Sequence, residues 1–211
     1  MNSVMKYKTD QEKFWAGNFG YDYIERNSDS SILSSNVNFF SKSLSRTTGF
    51  KSFIEFGSNI GLNIKAINLL YHDIECAALE INEKAVNELK TFLPAQNIYH
   101  SSIIDFNINK TWDLVLIKGV LIHIDPDSLS IVYEKITSAC NKYLLIAEYY
   151  NPTPVSITYR GYNNRLFKRD FAGEVMDKYP DFKLIDYGFQ YHRDVNFPQD
   201  DITWFLLEKI N

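Results

Sequence analysis

Along the chain the apolar positions change period near residue 52. Before it, "TDQEKFWAGNFGYDYIERN" and "SSILSSNVNFFSKSLSR" place apolar residues at close to helical spacing, with Ile32, Leu33, Val37, Phe40 and Leu44 on one stripe. Beyond it, short apolar runs that read as strands occur at 53–56, 74–79, 98–99, 112–117, 143–148, 183–191 and 202–208. Amphipathic stretches separate most of them, notably "IGLNIKAINLLY", "NEKAVNELKTFL" and "PDSLSIVYEKITSAC". Strands alternating with helices predict βαβ units and a mostly parallel sheet covered on both faces. The last two strands are joined by a loop alone, too short for a parallel crossover, so an antiparallel hairpin is expected there. Residues 150–175, after the strand at 143–148, read as a loop and the start of a helix.

Composition narrows the class. The 211 residues suit one α/β domain, and 45% hydrophobic with 15% aromatic residues supplies a sizeable core. A net charge of -4 argues against general nucleic-acid binding, which needs a basic footprint. "MNSVMKYKTD" lacks the apolar centre of a signal peptide, and the longest apolar run, "DLVLIKGVLIHI", is too interrupted to span a bilayer. Cys76 and Cys140 lie far apart in apolar surroundings, without metal-ligand spacing, and read as reduced core thiols. A cytoplasmic protein that engages neither nucleic acid nor membrane is the expectation.

Candidate chemistry concentrates where strands end. In "FIEFGSNIGLN" an apolar strand carries Glu55 and hands over to a turn with Gly57, Asn59 and Gly61. A dinucleotide fingerprint would need glycine at 57, 59 and 62, and a phosphate loop would need a terminal Gly-Lys-Ser/Thr; neither is present. The pattern acid-x-Gly-x-Gly-x-Gly fits with Asn59 as the one exchange, and asparagine is the non-glycine residue most tolerant of positive φ. The next strand ends in Glu80, 25 residues beyond Glu55, where an acid can accept hydrogen bonds from ribose hydroxyls. Asp105 follows the third strand in "HSSIIDF", where a carboxylate can meet an exocyclic amine of adenine. Acids at three successive strand ends suit an adenosine ligand that is positively charged and carries no phosphate. An ordinary tight turn with solvated acids would produce the same letters.

Through "FIEFGSNIGLN", "ALEIN", "SSIIDF" and "WDLVLIKGVLIHI" the chain from about residue 52 resembles the class I S-adenosylmethionine-dependent methyltransferases. That resemblance implies a Rossmann-like α/β fold, a seven-stranded mostly parallel sheet with an antiparallel last strand, and S-adenosyl-L-methionine as cofactor. It implies that Gly57 and Gly61 line the methionine part, with Glu55, Asn59 and Asn63 of the same stretch among the cofactor-binding residues. Glu80 would hold the ribose, Ile81, Ile104 and Asp105 would meet the adenine, and Lys118 and Gly119 would close the site. More specifically, "EKFWAGNFGYDYIERN" and "EYYNPTPVSITYRGYNNRLFKRDFAGEVMD" resemble the methylases associated with pseudaminic acid biosynthesis. This implies transfer of a methyl group to a small anionic acceptor, an acidic sugar (pseudaminic or nonulosonic acid) or its nucleotide-linked form, by a monomer or homodimer.

The outlying segments are then expected to select that acceptor. Residues 1–50 read as a helical cap within the same domain as 51–211, and about 150–175 as an acceptor-binding insertion. There Tyr159, Arg160, Arg165, Lys168 and Arg169 could contact a carboxylate or phosphate, or form a solvated loop. Phe14, Trp15, Phe19, Tyr21 and Tyr23 could shape a lid or pack as core. His123, after the fourth strand, is the leading candidate base, with Glu148, Tyr149, Tyr150 and His192 behind it. The "NPPY" motif of amide and adenine amine methylases is absent, "IKGV" standing in its place, and no metal cluster is visible. The alternatives are a non-catalytic scaffold that binds the same cofactor, and a nicotinamide-dependent dehydrogenase, which the glycine pattern disfavours.

Overall fold

The computed structural model describes residues 6–26 and 30–210; the N-terminal residues 1–5 and Asn27, which ends the first expected helical run, lie outside the described residues. Seven strands form the main sheet: β1 (Ser52–Phe56), β2 (Glu75–Glu80), β3 (Ile98–His100), β4 (Trp112–Lys118), β5 (Cys140–Glu148), β8 (Phe182–Gln190) and β9 (Ile202–Lys209). Their order is β3-β2-β1-β4-β5-β9-β8, parallel throughout the first five, with β9 antiparallel to both its neighbours. The expected sheet, including its one reversed strand, is therefore present.

Period-two alternation sorts each buried strand onto two cores. Ile54, Phe56, Val115, Ile117, Leu144 and Ile146 face α6 (Leu129–Ala139) and α7 (Phe171–Lys178). Phe53, Ala78, Leu114, Leu116, Leu145 and Leu206 face the other side, where α3 (Ser30–Ser43), α4 (Leu62–Leu70) and α5 (Glu83–Leu89) contribute Phe39, Phe40, Ile64, Ile67 and Leu89. Crossovers from β1 run outward over one face, and those from β4 over the other. The strand order therefore reverses between β1 and β4, and a crevice opens at their carboxyl ends.

Two expectations change. The N-terminal run is not one helix but two, α1 (Asp10–Ala16) and α2 (Asn18–Arg26), divided at Gly17. Thr9 and Glu12 close α1 with a reciprocal capping box. The loop expected within 150–175 is a separate β-hairpin, β6 (Val155–Tyr159) and β7 (Tyr162–Lys168), with Tyr159 paired to Tyr162. Its two-residue turn has φ 48° at Arg160 and 86° at Gly161, the left-handed pair that matches the natural twist of hairpin strands. α3 likewise belongs to the helical layer on the sheet, whereas α1 and α2 lie over the crevice.

At the crevice Gly57 has φ 81°, and an added Cβ would lie 2.5 Å from Cγ2 of Val120. Gly57→Ala is expected to lower the unfolding free energy by about 1–3 kcal/mol, read by urea denaturation against the wild type.

Candidate active site

The turn after β1 is pinned to the end of β2. The Gly57 N–H donates to the Leu79 carbonyl (2.8 Å), and Asn59, at φ 47°, donates its N–H to Oε2 of Glu80 (2.7 Å). Oε1 of Glu80 accepts from the N–H groups of Ile81 (2.9 Å) and Asn82 (2.8 Å). Burial raises the pKa of this carboxyl group, and the three N–H donors oppose the shift. A carboxylate has about four lone-pair directions, so Glu80 keeps acceptor capacity towards the space it borders.

That space is a cavity of about 660 Å³, lined among others by Gly57, Asn59, Glu80, Ile81, Lys118 and His123. Beneath its floor Glu55 is fully buried and accepts from Nδ2 of Asn63 at 2.5 Å. The outer oxygens of this pair, Oε2 of Glu55 and Oδ1 of Asn63, are buried without a hydrogen-bond partner. Burial pushes the Glu55 carboxyl up to about 8. Lys118, at the cavity wall, has its pKa lowered by burial and supported by the charges of Glu55, Asp200 and Glu148. Two unfilled acceptors beside a lysine form a polar lobe suited to a ligand that donates with one group and accepts with another.

On the opposite wall His123 is nearly buried between Trp15 (ring centroids 4.6 Å) and Tyr159 (5.0 Å). Nδ1 lies 2.6 Å from the carbonyl oxygen of Arg165; a carbonyl only accepts, so Nδ1 carries the proton. Among the described residues Nε2 has no partner, and its lone pair is free on a residue that lines the cavity. Burial pushes the imidazole down to about 4, so it is neutral at physiological pH. Glu148, a weaker candidate base, is otherwise engaged: it caps the turn at 120–122 by accepting from Val120 and Leu121 (both 2.9 Å) and Ile122 (3.5 Å).

The roof consists of α1, α2 and the β6–β7 hairpin. Glu12 accepts from the Ser102 hydroxyl, Asn82 Nδ2 donates to the Trp15 carbonyl (3.0 Å), and Gln11 donates to the Asn164 carbonyl (3.3 Å). Phe14 stacks on Phe19 (4.0 Å) and meets Tyr162 edge-on (5.1 Å). Of the expected aromatics, Trp15 and Tyr23 line the cavity, while Phe14 and Phe19 join cap to hairpin.

The cavity lining includes Trp15, Tyr23, Gly57, Asn59, Asn63, Glu80, Ile81, Ile104, Lys118, Gly119, His123, Tyr149, Tyr159, Arg160 and His192 from the residues singled out in the sequence. The others stand elsewhere. Glu55 is beneath the floor. Gly61, at φ 76°, packs against Phe92 at the start of α4. Asp105 is ion-paired with Lys8 rather than turned into the cavity. Arg165 lies over the Phe14 ring (5.4 Å), Lys168 over Tyr149 (5.1 Å), and Arg169 pairs with Glu174 (2.6 Å), so these three cations brace the hairpin. The residues that sequence reasoning missed are Glu12, Arg26, Asn36, Asn82, Ser102, Gln199 and Asp200. Thr9-x-x-Glu12 and the helix-capping Asn82 did leave a local signature; the rest arrive through tertiary packing alone. Among the described residues no group of three or more His, Cys, Asp or Glu could hold a metal ion, and no helix is long and apolar enough to cross a membrane.

No family model matches the chain, and no curated protein matches it. Solved structures do. The 1,6-didemethyltoxoflavin-N1-methyltransferase of Burkholderia thailandensis, with bound 1,6-didemethyltoxoflavin and S-adenosylhomocysteine, superposes at TM-score 0.69 and 10% identity, covering 100% of this chain and 94% of that one. The fold is that of the class I methyltransferases. A mitomycin 7-O-methyltransferase gives 0.66 at 13% identity over 95% of this chain, which spans only 61% of that protein's length. An O-methyltransferase from a trans-AT PKS multienzyme of Brevibacillus brevis, in complex with S-adenosyl-L-homocysteine, gives 0.63 at 14%, covering 98% and 82%. At such identities the likeness to methyltransferases is one of architecture.

A histidine whose folded pKa is depressed adds stability above its unfolded value and loses it as pH falls. Unfolding free energy should therefore drop as pH is lowered from about 6.5 towards about 4. His123→Asn should flatten that part of the profile, measured by urea titrations across the range.

Proposed function

We propose that the protein is an S-adenosyl-L-methionine-dependent methyltransferase acting on a small anionic acceptor, an acidic sugar of the pseudaminic or nonulosonic type or its nucleotide-linked form. The observation that carries the reading is the Glu80 carboxylate at the β2 tip, bordering a cavity of about 660 Å³ next to the unfilled acceptors of Glu55 and Asn63. The Glu80 carboxylate suits ribose hydroxyls and is unfavourable for a pyrophosphate, whereas the Glu55–Asn63 pair suits an ammonium, whose charge would favour the ionised form of Glu55. Ile81 and Ile104 would flank the adenine, and Lys118 would meet the carboxylate of the amino-acid tail. Asp105, held by Lys8, has no part in this assignment.

When bound, the cofactor supplies a methyl group on a sulfonium sulfur. The protein's own part is to position and to move a proton. Trp15 and Tyr159 clamp the His123 ring, and the Arg165 carbonyl fixes its tautomer. Nε2 can then take the proton from an acceptor hydroxyl as that oxygen attacks. The cap and hairpin exclude water from that end. Arg160 and Arg26, both at the cavity, support an anionic acceptor, and Arg26 is additionally stacked on Phe19 (5.4 Å). Lys168 and Arg169 act through the hairpin's shape.

Calorimetry with the cofactor should show Glu80→Gln binding weaker by about 1.5–3 kcal/mol, the contribution of charged hydrogen bonds. Unchanged affinity would count against the cofactor assignment. Incubation with isotope-labelled cofactor and a panel of nonulosonic acids, free and nucleotide-linked, read by mass spectrometry, tests the acceptor. With the acceptor that turns over, His123→Ala should lower turnover by about 10²–10⁴-fold while leaving cofactor affinity in place.

A further inference from the structure

Away from the cavity, one corner of the sheet is left uncovered. α7 shields Phe182, Leu207 and Ile146 through Phe171, Ala172 and Val175, but it ends short of the upper halves of β8 and β9. There Tyr187 is 67% exposed, Phe189 58%, Tyr191 46% and Tyr150 41%. The rings form two neighbouring groups: Tyr150 and Tyr187 meet Phe205 at 5.8 Å and 6.5 Å, and Phe189 meets Tyr191 at 6.2 Å. The register puts Tyr187 and Phe189 opposite Phe205 and Thr203, on a single face of the sheet. β8 is also a sheet edge, with a register shift between Leu184 and Asp186 that breaks up its free side.

We infer that this aromatic face is the interface between two copies of the chain, packed face to face about a two-fold axis. A whole aromatic side chain presents roughly 150–250 Å², so the exposed parts of these four rings leave about 400 Å² in solvent, a patch at the size that marks interaction sites. That is near half of the roughly 800 Å² each partner contributes to a stable interface, before Leu184 and the polar rim are added. The centre is rich in tyrosine and phenylalanine and free of charge, the composition of an interface core. Its rim carries both signs, in the Arg169–Glu174 pair beside Tyr150 and in the His192–Asp201 pair beside Tyr191. A rim of mixed sign can match its own image across a two-fold, plus against minus, whereas an acidic or basic partner of another kind would call for a rim of one sign. The same hairpin brings Pro198, Gln199 and Asp200 to the cavity wall, so pairing two copies would brace one side of the site in each.

The full chain examined by analytical ultracentrifugation should show the mass of two chains. Tyr187→Glu with Phe189→Glu should reduce it to the mass of one, with an unchanged far-ultraviolet circular dichroism spectrum. Leu69→Glu, on the exposed side of α4, should leave the two-chain mass intact. Should the glutamate pair not fold, Tyr187→Ser with Phe189→Ser is judged by the same criterion. A wild-type mass of one chain, as a face kept for an unlike partner would give, overturns the inference. So does a folded double variant that keeps the mass of two.

Discussion

One carboxylate ties the site together. Glu80 accepts three backbone N–H groups, one from the turn after β1 and two from the turn after β2, and so joins the tips of adjacent parallel strands. Parallel strands end in unpaired donors, and an acid placed there satisfies several at once. The arrangement fixes the left-handed path through Gly57 and Asn59, and with it the shape of the crevice at the point where strand order reverses. Asn82, the third donor, also caps α5 and holds the Trp15 carbonyl. The cap is thereby anchored to the same strand tip as Glu80, and the turn after β1 and the roof of the cavity share one support.

The second half of the enclosure is aromatic rather than charged. Phe14, Trp15 and Phe19 of the cap meet Tyr159 and Tyr162 of the hairpin around the imidazole of His123. Rings of this kind bury large area with few rotatable bonds, which suits a lid that must exclude water without a deep core of its own. Burial there keeps the imidazole neutral, and burial on the opposite wall keeps Glu55 reluctant to ionise, so the cavity spans two environments with contrary demands on protons.

Much of the fold was legible in the chain. The seven main strands and the closing antiparallel pair followed from apolar periodicity and from the length of the last loop, both governed by local spacing; that β9 is the reversed member followed from the family resemblance. The hairpin at 155–168 was not, because its strands are largely exposed and carry little alternation. The arginine that opens its turn, Arg160, gives no hint of a positive φ. At the site, the resemblance to class I methyltransferases pointed to Lys118, and the strand-end rule located Glu80 and His123, residues whose position follows from the sheet itself. It failed for Asp105, whose side chain is claimed by Lys8 from the far end of the chain, and for Arg165, Lys168 and Arg169, whose partners are set by hairpin geometry. Gln199, Asp200 and Asn36 reach the cavity from elements distant in sequence, and nothing in their local context marks them.

The hydrogen bond from His123 to the carbonyl of Arg165 involves no side chain of the hairpin. Any residue except a backbone-distorting one could occupy position 165 and still orient the ring. The hairpin's outward residues can therefore be exchanged without disturbing the tautomer or orientation of the His123 ring. In that sense the roof is a replaceable surface mounted on a fixed frame.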